Sequence, residues 1–135
     1  MKTNELTGAA LDWAVAIAEG FKPEQLYIWN SKSIFTRTFD DEGNPDGYMT
    51  GPDRLYGSKW EAGGKIVERE RISITSCTPT VGDNRTPFWF ANHEGRTDYA
   101  EGSTALIAAM RCHAASRLGD EVEIPKELVR VAQSA

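Results

Sequence analysis

The sequence predicts an α+β fold, a small antiparallel β-sheet packed with two main helices, and three observations carry that expectation. An alanine-rich apolar stretch near the start is bracketed by a capping residue and a glycine stop. A second such stretch lies near the end. Between them run short aromatic and β-branched segments broken by turn residues.

The first helix is expected over residues 7–19, with Thr7 as the cap and Gly20 as the left-handed stop. Leu11, Val15 and Ala18 form one stripe, and Trp13 and Ile17 form an adjoining one. Only Asp12 and Glu19 interrupt this surface, so burial over most of the circumference follows. Residues 25–30 and 33–39 read as strands joined by a turn at Asn30 and Ser31. The acidic run Asp40, Asp41, Glu42 and Asp46 lacks the ligand spacing of a calcium loop and reads as a solvated turn.

Residues 48–71 hold Tyr48, Tyr56, Trp60 and the glycines Gly51, Gly57, Gly63 and Gly64. They read as a long aromatic loop with a tight Gly63-Gly64 turn, running into a strand over residues 66–75. Strict alternation in that strand puts Glu68 and Glu70 on the same face as Ile66, Ile72 and Ile74. A bulge near residues 68–70 resolves the conflict, as do carboxylates directed into a polar pocket. A further strand is expected over residues 87–91. The second helix spans residues 103–118, with Ser103 as its cap and Gly119 as its stop. Val122 and Ile124 then form a short extended piece, and Pro125 opens a last helical turn. With 135 residues and no repeat, residues 1–135 are expected to form a single domain.

Composition narrows the function. The net charge of −5, with basic residues scattered rather than clustered, argues against a nucleic-acid polymer as partner. No apolar run approaches the ~20 residues that span a bilayer, and the opening residues do not read as a signal peptide, so a cytoplasmic location without membrane association is expected. Cys77 and Cys112 form no C-x-x-C pair and read as reduced, buried thiols.

Catalytic patterns are sparse. His93 lies in a turn-like segment and reads as a solvated loop histidine. His113 neighbours Cys112, but adjacent helical residues point in different directions and make no metal site by themselves. No nucleophile elbow or phosphate loop is present, and no catalytic residue, metal ligand or cofactor is assigned.

Binding chemistry fits better. Tyr56 or Trp60 offers a stacking surface, while Arg69, Arg71 or Arg111 offers a forked partner for phosphate or carboxylate. Glu70 or Glu68 offers acceptors for ribose hydroxyls. Ser103 and Thr104, at a helix amino end, offer hydroxyls and backbone N–H groups. The competing reading tucks Tyr56 and Trp60 onto the sheet and leaves the charged residues as surface ion pairs.

Three blocks carry a resemblance: LTGAALDWAVAIAEG from Leu6, WEAGGKIVERERI from Trp60, and STALIAAMRCHAASRLGDEVEIPKEL from Ser103. Colinear and together nearly half the chain, they resemble the NinX-like proteins of tailed bacteriophages. The family pattern opens the middle block with Ser-Thr-Asp-Trp and follows it with Gly-Gly-Pro. This chain instead has Gly57-Ser58-Lys59-Trp60 and Gly63-Gly64-Lys65. Thr104-Ala105-Leu106 stands for Thr-Pro-Leu, and His113 stands for an aromatic. No role needing an acid immediately before Trp60 is therefore carried over.

The resemblance implies a phage accessory protein in the cytoplasm of an infected bacterium, with no catalytic residues to transfer. In that setting the expected activity is capture of a small nucleotide-derived immune signal, such as a cyclic ADP-ribose-like molecule or a cyclic dinucleotide, without turnover. The expected ligand-binding residues are Tyr56, Trp60, Gly63, Gly64, Arg69, Glu70, Ser103, Thr104 and Arg111, at a homo-oligomer interface if one forms. A host-protein inhibitor or adaptor using the same aromatic segment is the alternative. A nucleotide-signal hydrolase ranks third, for want of a poised base or metal cluster.

Overall fold

The computed structural model describes residues 1–30, 32–50, 55–80, 82, 86–96 and 98–129, with the backbone alone at Thr38 and residues 45–50. Ser31, Gly51 and the end of the last helical turn, all named in the sequence expectations, lie outside the described residues.

The fold is α+β, with three α-helices of ten or more residues and two three-stranded antiparallel sheets among the described residues. Helix α1 spans Gly8–Ala18, and its left-handed stop falls at Gly20, where φ is 104°. Thr7 occupies the cap position without a side-chain cap bond. The buried run Ala9 through Ala16 includes Trp13, as the nearly continuous apolar surface requires.

Strands β1 (Leu26–Trp29), β2 (Ser33–Phe39) and β3 (Pro45–Thr50) form the first sheet in that order. Asn30 takes φ of 58° in the β1–β2 turn, a conformation asparagine tolerates better than most residues. The acidic run is a turn: the Asp40 carboxylate accepts from the Glu42 and Asn44 backbone N–H groups. Strand β3, which includes Tyr48, was not foreseen; a proline and a glycine hide its strand character.

The largest correction concerns residues 60–71. Trp60–Arg69 form helix α2, so Ile66 is helical and the Gly63-Gly64 pair is no turn. Ala62, Gly63, Ile66 and Val67 face the core at helical spacing, while Glu61, Lys65 and Glu68 face outward. That amphipathic burial outweighs two glycines, each worth about 1 kcal/mol against a helix. The conflict among the carboxylates and isoleucines dissolves without a bulge. The helix ends at Glu70, Arg71 reverses the chain at φ of 53°, and strand β4 begins only at Ile72.

β4 (Ile72–Cys77), β5 (Phe88–His93) and β6 (Ala100–Gly102) form the second sheet, with Ile74 opposite Ala91 and Trp89 opposite Gly102. Helix α3 spans Ala105–Leu118 and is capped by Thr104, not Ser103: the Thr104 hydroxyl accepts from the Ile107 N–H at 3.1 Å. Alanines and Met110 let α3 lie at the centre, touching α1, α2 and all three strands of the second sheet. The first residues return to its far end, where the Thr3 hydroxyl donates to the Gly119 carbonyl at 2.6 Å. No helix among the described residues is long and apolar enough to cross a membrane.

Candidate functional site

Helix α2 separates the sequence-predicted residues. It carries Trp60 at one end and Arg69 at the other, about 13 Å apart along its axis at 1.5 Å per residue. Tyr56 is 6% exposed and belongs to the core, whereas Trp60 is 55% exposed. Gly63 packs under α3: a Cβ there would lie 2.3 Å from the Tyr56 carbonyl and 2.7 Å from Leu106 Cδ1. Gly64 lies beneath the Trp60 ring. Ser103 is exposed beside Thr104, whose hydroxyl is engaged in its cap. Arg111 is pinned inside, donating to the carbonyls of Leu6 at 2.8 Å and Glu101 at 2.7 Å. Its guanidinium is thereby a structural clasp between the chain start, β6 and α3. Tyr56 with Gly63 and the start of α3 do converge, while Arg69 and Glu70 lie in a different place.

That other place is a polar cluster at the carboxyl end of α2. Arg69 grips Glu19 with two nitrogens, at 2.8 and 2.6 Å, and also reaches Glu70 at 3.1 Å. Arg117 donates to Glu70 Oε1 at 2.7 Å. With Arg117 first and Arg69 beside it, the Glu70 carboxyl is held down to about 2. Glu19 is lowered too, chiefly by Arg69. Arg71, outside this group, pairs with Glu94.

His113 is wholly buried in the middle of the cluster. Its Nε2 meets Glu19 Oε2 at 3.0 Å, and burial lowers its pKa against the opposing pull of that carboxylate. In the neutral ring the proton sits on Nε2, donated to Glu19, and Nδ1 keeps a lone pair. This Nδ1 is buried without a hydrogen-bond partner among the described residues and stands 3.9 Å from Glu70 Oε1. His93 completes the group. It is the last residue of β5 and half-buried, not a solvated loop residue, and its Nδ1 lies 3.4 Å from Cys112 Sγ. Burial lowers the His93 pKa and raises that of the Cys112 thiol. Cys112 is buried as expected, and Cys77 only partly so. Glu19, Glu70, His93 and His113 are far apart in the chain, so no local motif announces them.

His93 also lines a cleft of about 480 Å³ between the second sheet and the outer half of α3. Arg96, Asp98 and Tyr99 form one wall; Cys112, Ser116 and Asp120 contribute the other. Tyr99 is 62% exposed, yet its ring is braced edge-on against Phe90 with centroids 5.7 Å apart. The Arg96 guanidinium makes no ion pair among the described residues, and Arg96 and Tyr99 line the same cleft. A larger groove of about 990 Å³ runs between α1 and residues 121–129, but Trp13, Ile17, Val122 and Ile124 make it largely apolar. The smaller cleft has the convergent polar groups that orient a ligand. Neither Arg96 nor Tyr99 stands out in the sequence, because a short polar run between two strands carries no periodic signal.

The model for the family described as Bacteriophage P22, NinX matches residues 2–117, most of the chain, and the protein therefore belongs to this phage family. No curated protein matches the chain.

Proposed function

We propose that this NinX-family protein is a binding protein that captures a small nucleotide-derived ligand, such as a bacterial immune signal, without turning it over. The single observation that carries this reading is the cleft of about 480 Å³, where Tyr99, Arg96, Asp98 and Asp120 face a common space. Tyr99 offers a ring for base stacking, Arg96 a fork for phosphate, and the two carboxylates acceptors for ribose hydroxyls. The volume lies within the range usual for small-molecule sites. In this reading the cleft takes over the stacking and phosphate roles first expected of Trp60 and Arg69. In this reading the protein acts in the cytoplasm of the infected host, and a homo-oligomer would enlarge the cleft's walls.

Calorimetric titration with cyclic ADP-ribose-like molecules, cyclic dinucleotides and mononucleotides tests the reading. At least one should bind, be recovered intact after denaturation, and bind about tenfold or more weakly to Tyr99→Ala or Arg96→Ala, given the usual worth of a base stack or a charged hydrogen bond. Silence across the panel, or unchanged affinity in both variants, would overturn it.

The exposed Trp60 favours a second reading, in which the protein docks on a host protein through that tryptophan. A stoichiometric host partner retained by the parent protein and lost with Trp60→Ala supports it; a partner retained by both excludes Trp60 as the anchor.

A further inference from the structure

The polar cluster at the end of α2 contains an arrangement that ion pairing does not explain. His113 is fully buried, its Nε2 is engaged by Glu19, and its Nδ1 has no hydrogen-bond partner among the described residues. A buried imidazole nitrogen left unpartnered is costly. It faces Glu70, whose oxygens accept from Arg117 and Arg69. With the His113 proton on Nε2, Nδ1 and Glu70 Oε1 are two acceptor atoms 3.9 Å apart, which repel unless something positive lies between them. A ring nitrogen of His93 joins the same space, and one donor atom from each of Glu70, His93 and His113 lies within 4.8 Å of the others.

We propose that Glu70, His93 and His113 form a binding site for one divalent transition-metal ion of the zinc class. Two imidazoles and one carboxylate are the donor set such ions accept, whereas calcium and magnesium favour all-oxygen sites. The surroundings match what metal-binding histidines require. Glu19 accepts a hydrogen bond from His113 Nε2–H and so leaves the Nδ1 lone pair for the ion, and Arg69 holds Glu19 in turn.

Donors around a tetrahedral ion at about 2.1 Å stand roughly 3.4 Å apart, so the three side chains must close by about an ångström. His113 is fixed by packing; Glu70 and His93 are only partly buried and supply the movement. Arg117 is compatible, because Glu70 Oε1 has a second lone pair beyond the one Arg117 occupies. The bound ion would tie together the end of α2, the end of β5 and the middle of α3. His93 lines the ligand cleft as well, so the fourth position could open toward it. The metal site stands independently of the nucleotide reading.

The test is direct titration of the full chain, stripped with EDTA, with ZnCl₂, CoCl₂ and MgCl₂. Calorimetry should give one zinc per chain, and zinc should raise the melting temperature by several degrees while magnesium does not. Cobalt should develop the visible absorption bands of a low-symmetry site with nitrogen and oxygen donors. Glu70→Gln and His93→Gln, chosen because they spare the buried His113, should each weaken zinc by more than about tenfold while retaining the parent circular dichroism spectrum. Failure to bind zinc stoichiometrically, or parental zinc affinity in both folded variants, would overturn the proposal.

Discussion

The two ends of helix α2 are built on opposite principles. At the amino end, Gly63 packs against Tyr56 and Leu106 by shape alone, and Trp60 lies outside on Gly64. At the carboxyl end, Arg69 and Glu70 are tied by charge to Glu19 and Arg117, which reach in from the end of α1 and from α3. The difference shows how one short helix is held. Close backbone approach fixes its start, where no side chain fits, and an ionic clasp fixes its end, where the chain reverses at Arg71. The shape-packed end should therefore be intolerant of added volume, and the charged end intolerant of acid.

The largest expected effect is at Gly63. A methyl there meets a backbone carbonyl and the Leu106 side chain inside contact distance, so Gly63→Ala should destabilise by about 1–3 kcal/mol in denaturant unfolding. Gly64→Ala is the matched control. Its Cβ meets only the Trp60 ring, at 3.3 Å, so the helix-propensity gain of up to about 1 kcal/mol should leave stability unchanged or raised. Equal losses at both positions would mean that Gly63 is not the contact that seats α2.

Acid tests the other end in metal-free protein. Glu70 is held at about 2 against an ordinary 4.5, and Glu19 is lowered in the same direction. Groups with lowered pKa values favour the unfolded state on protonation. The carboxylate contribution is complete above pH 4.5 and is lost as pH falls from 4.5 toward 2. His113, lowered from 6.5 by burial, adds a loss in the same direction that begins as pH falls below 6.5. Urea unfolding across this range should thus show stability falling continuously on acidification. Glu70→Gln should flatten the portion below pH 4.5, and a profile identical to the parent would remove Glu70 from the account.

The smallest expected effect on stability is Trp60→Ala. With the ring more than half exposed, the change should stay within about 0.5 kcal/mol. A larger loss would mean that Trp60 clamps the start of α2 over Gly64 rather than presenting a surface.

Much of this was legible in the chain. The stops at Gly20 and Gly119, the alanine-rich faces of α1 and α3, and the strands β1, β2 and β5 are written in local composition and period. Helix α2 was hidden because adjacent glycines disfavour a helix locally, and the compensating burial of Ile66 against distant elements is invisible within a short window. The alternation conflict at Glu68 and Glu70 was nonetheless its trace.

The sequence by itself determined the α+β class, the two main helices, the phage-family resemblance and a stock of aromatic and charged residues. Tertiary structure alone decided which of them meet. It buried Tyr56, committed Arg111 to two carbonyls, and gathered Glu19, Glu70, His93 and His113 from four separate segments. The physical reason is that composition and hydrophobic period act over neighbouring residues, whereas a polar site arises where elements remote in sequence are forced together by packing their apolar faces.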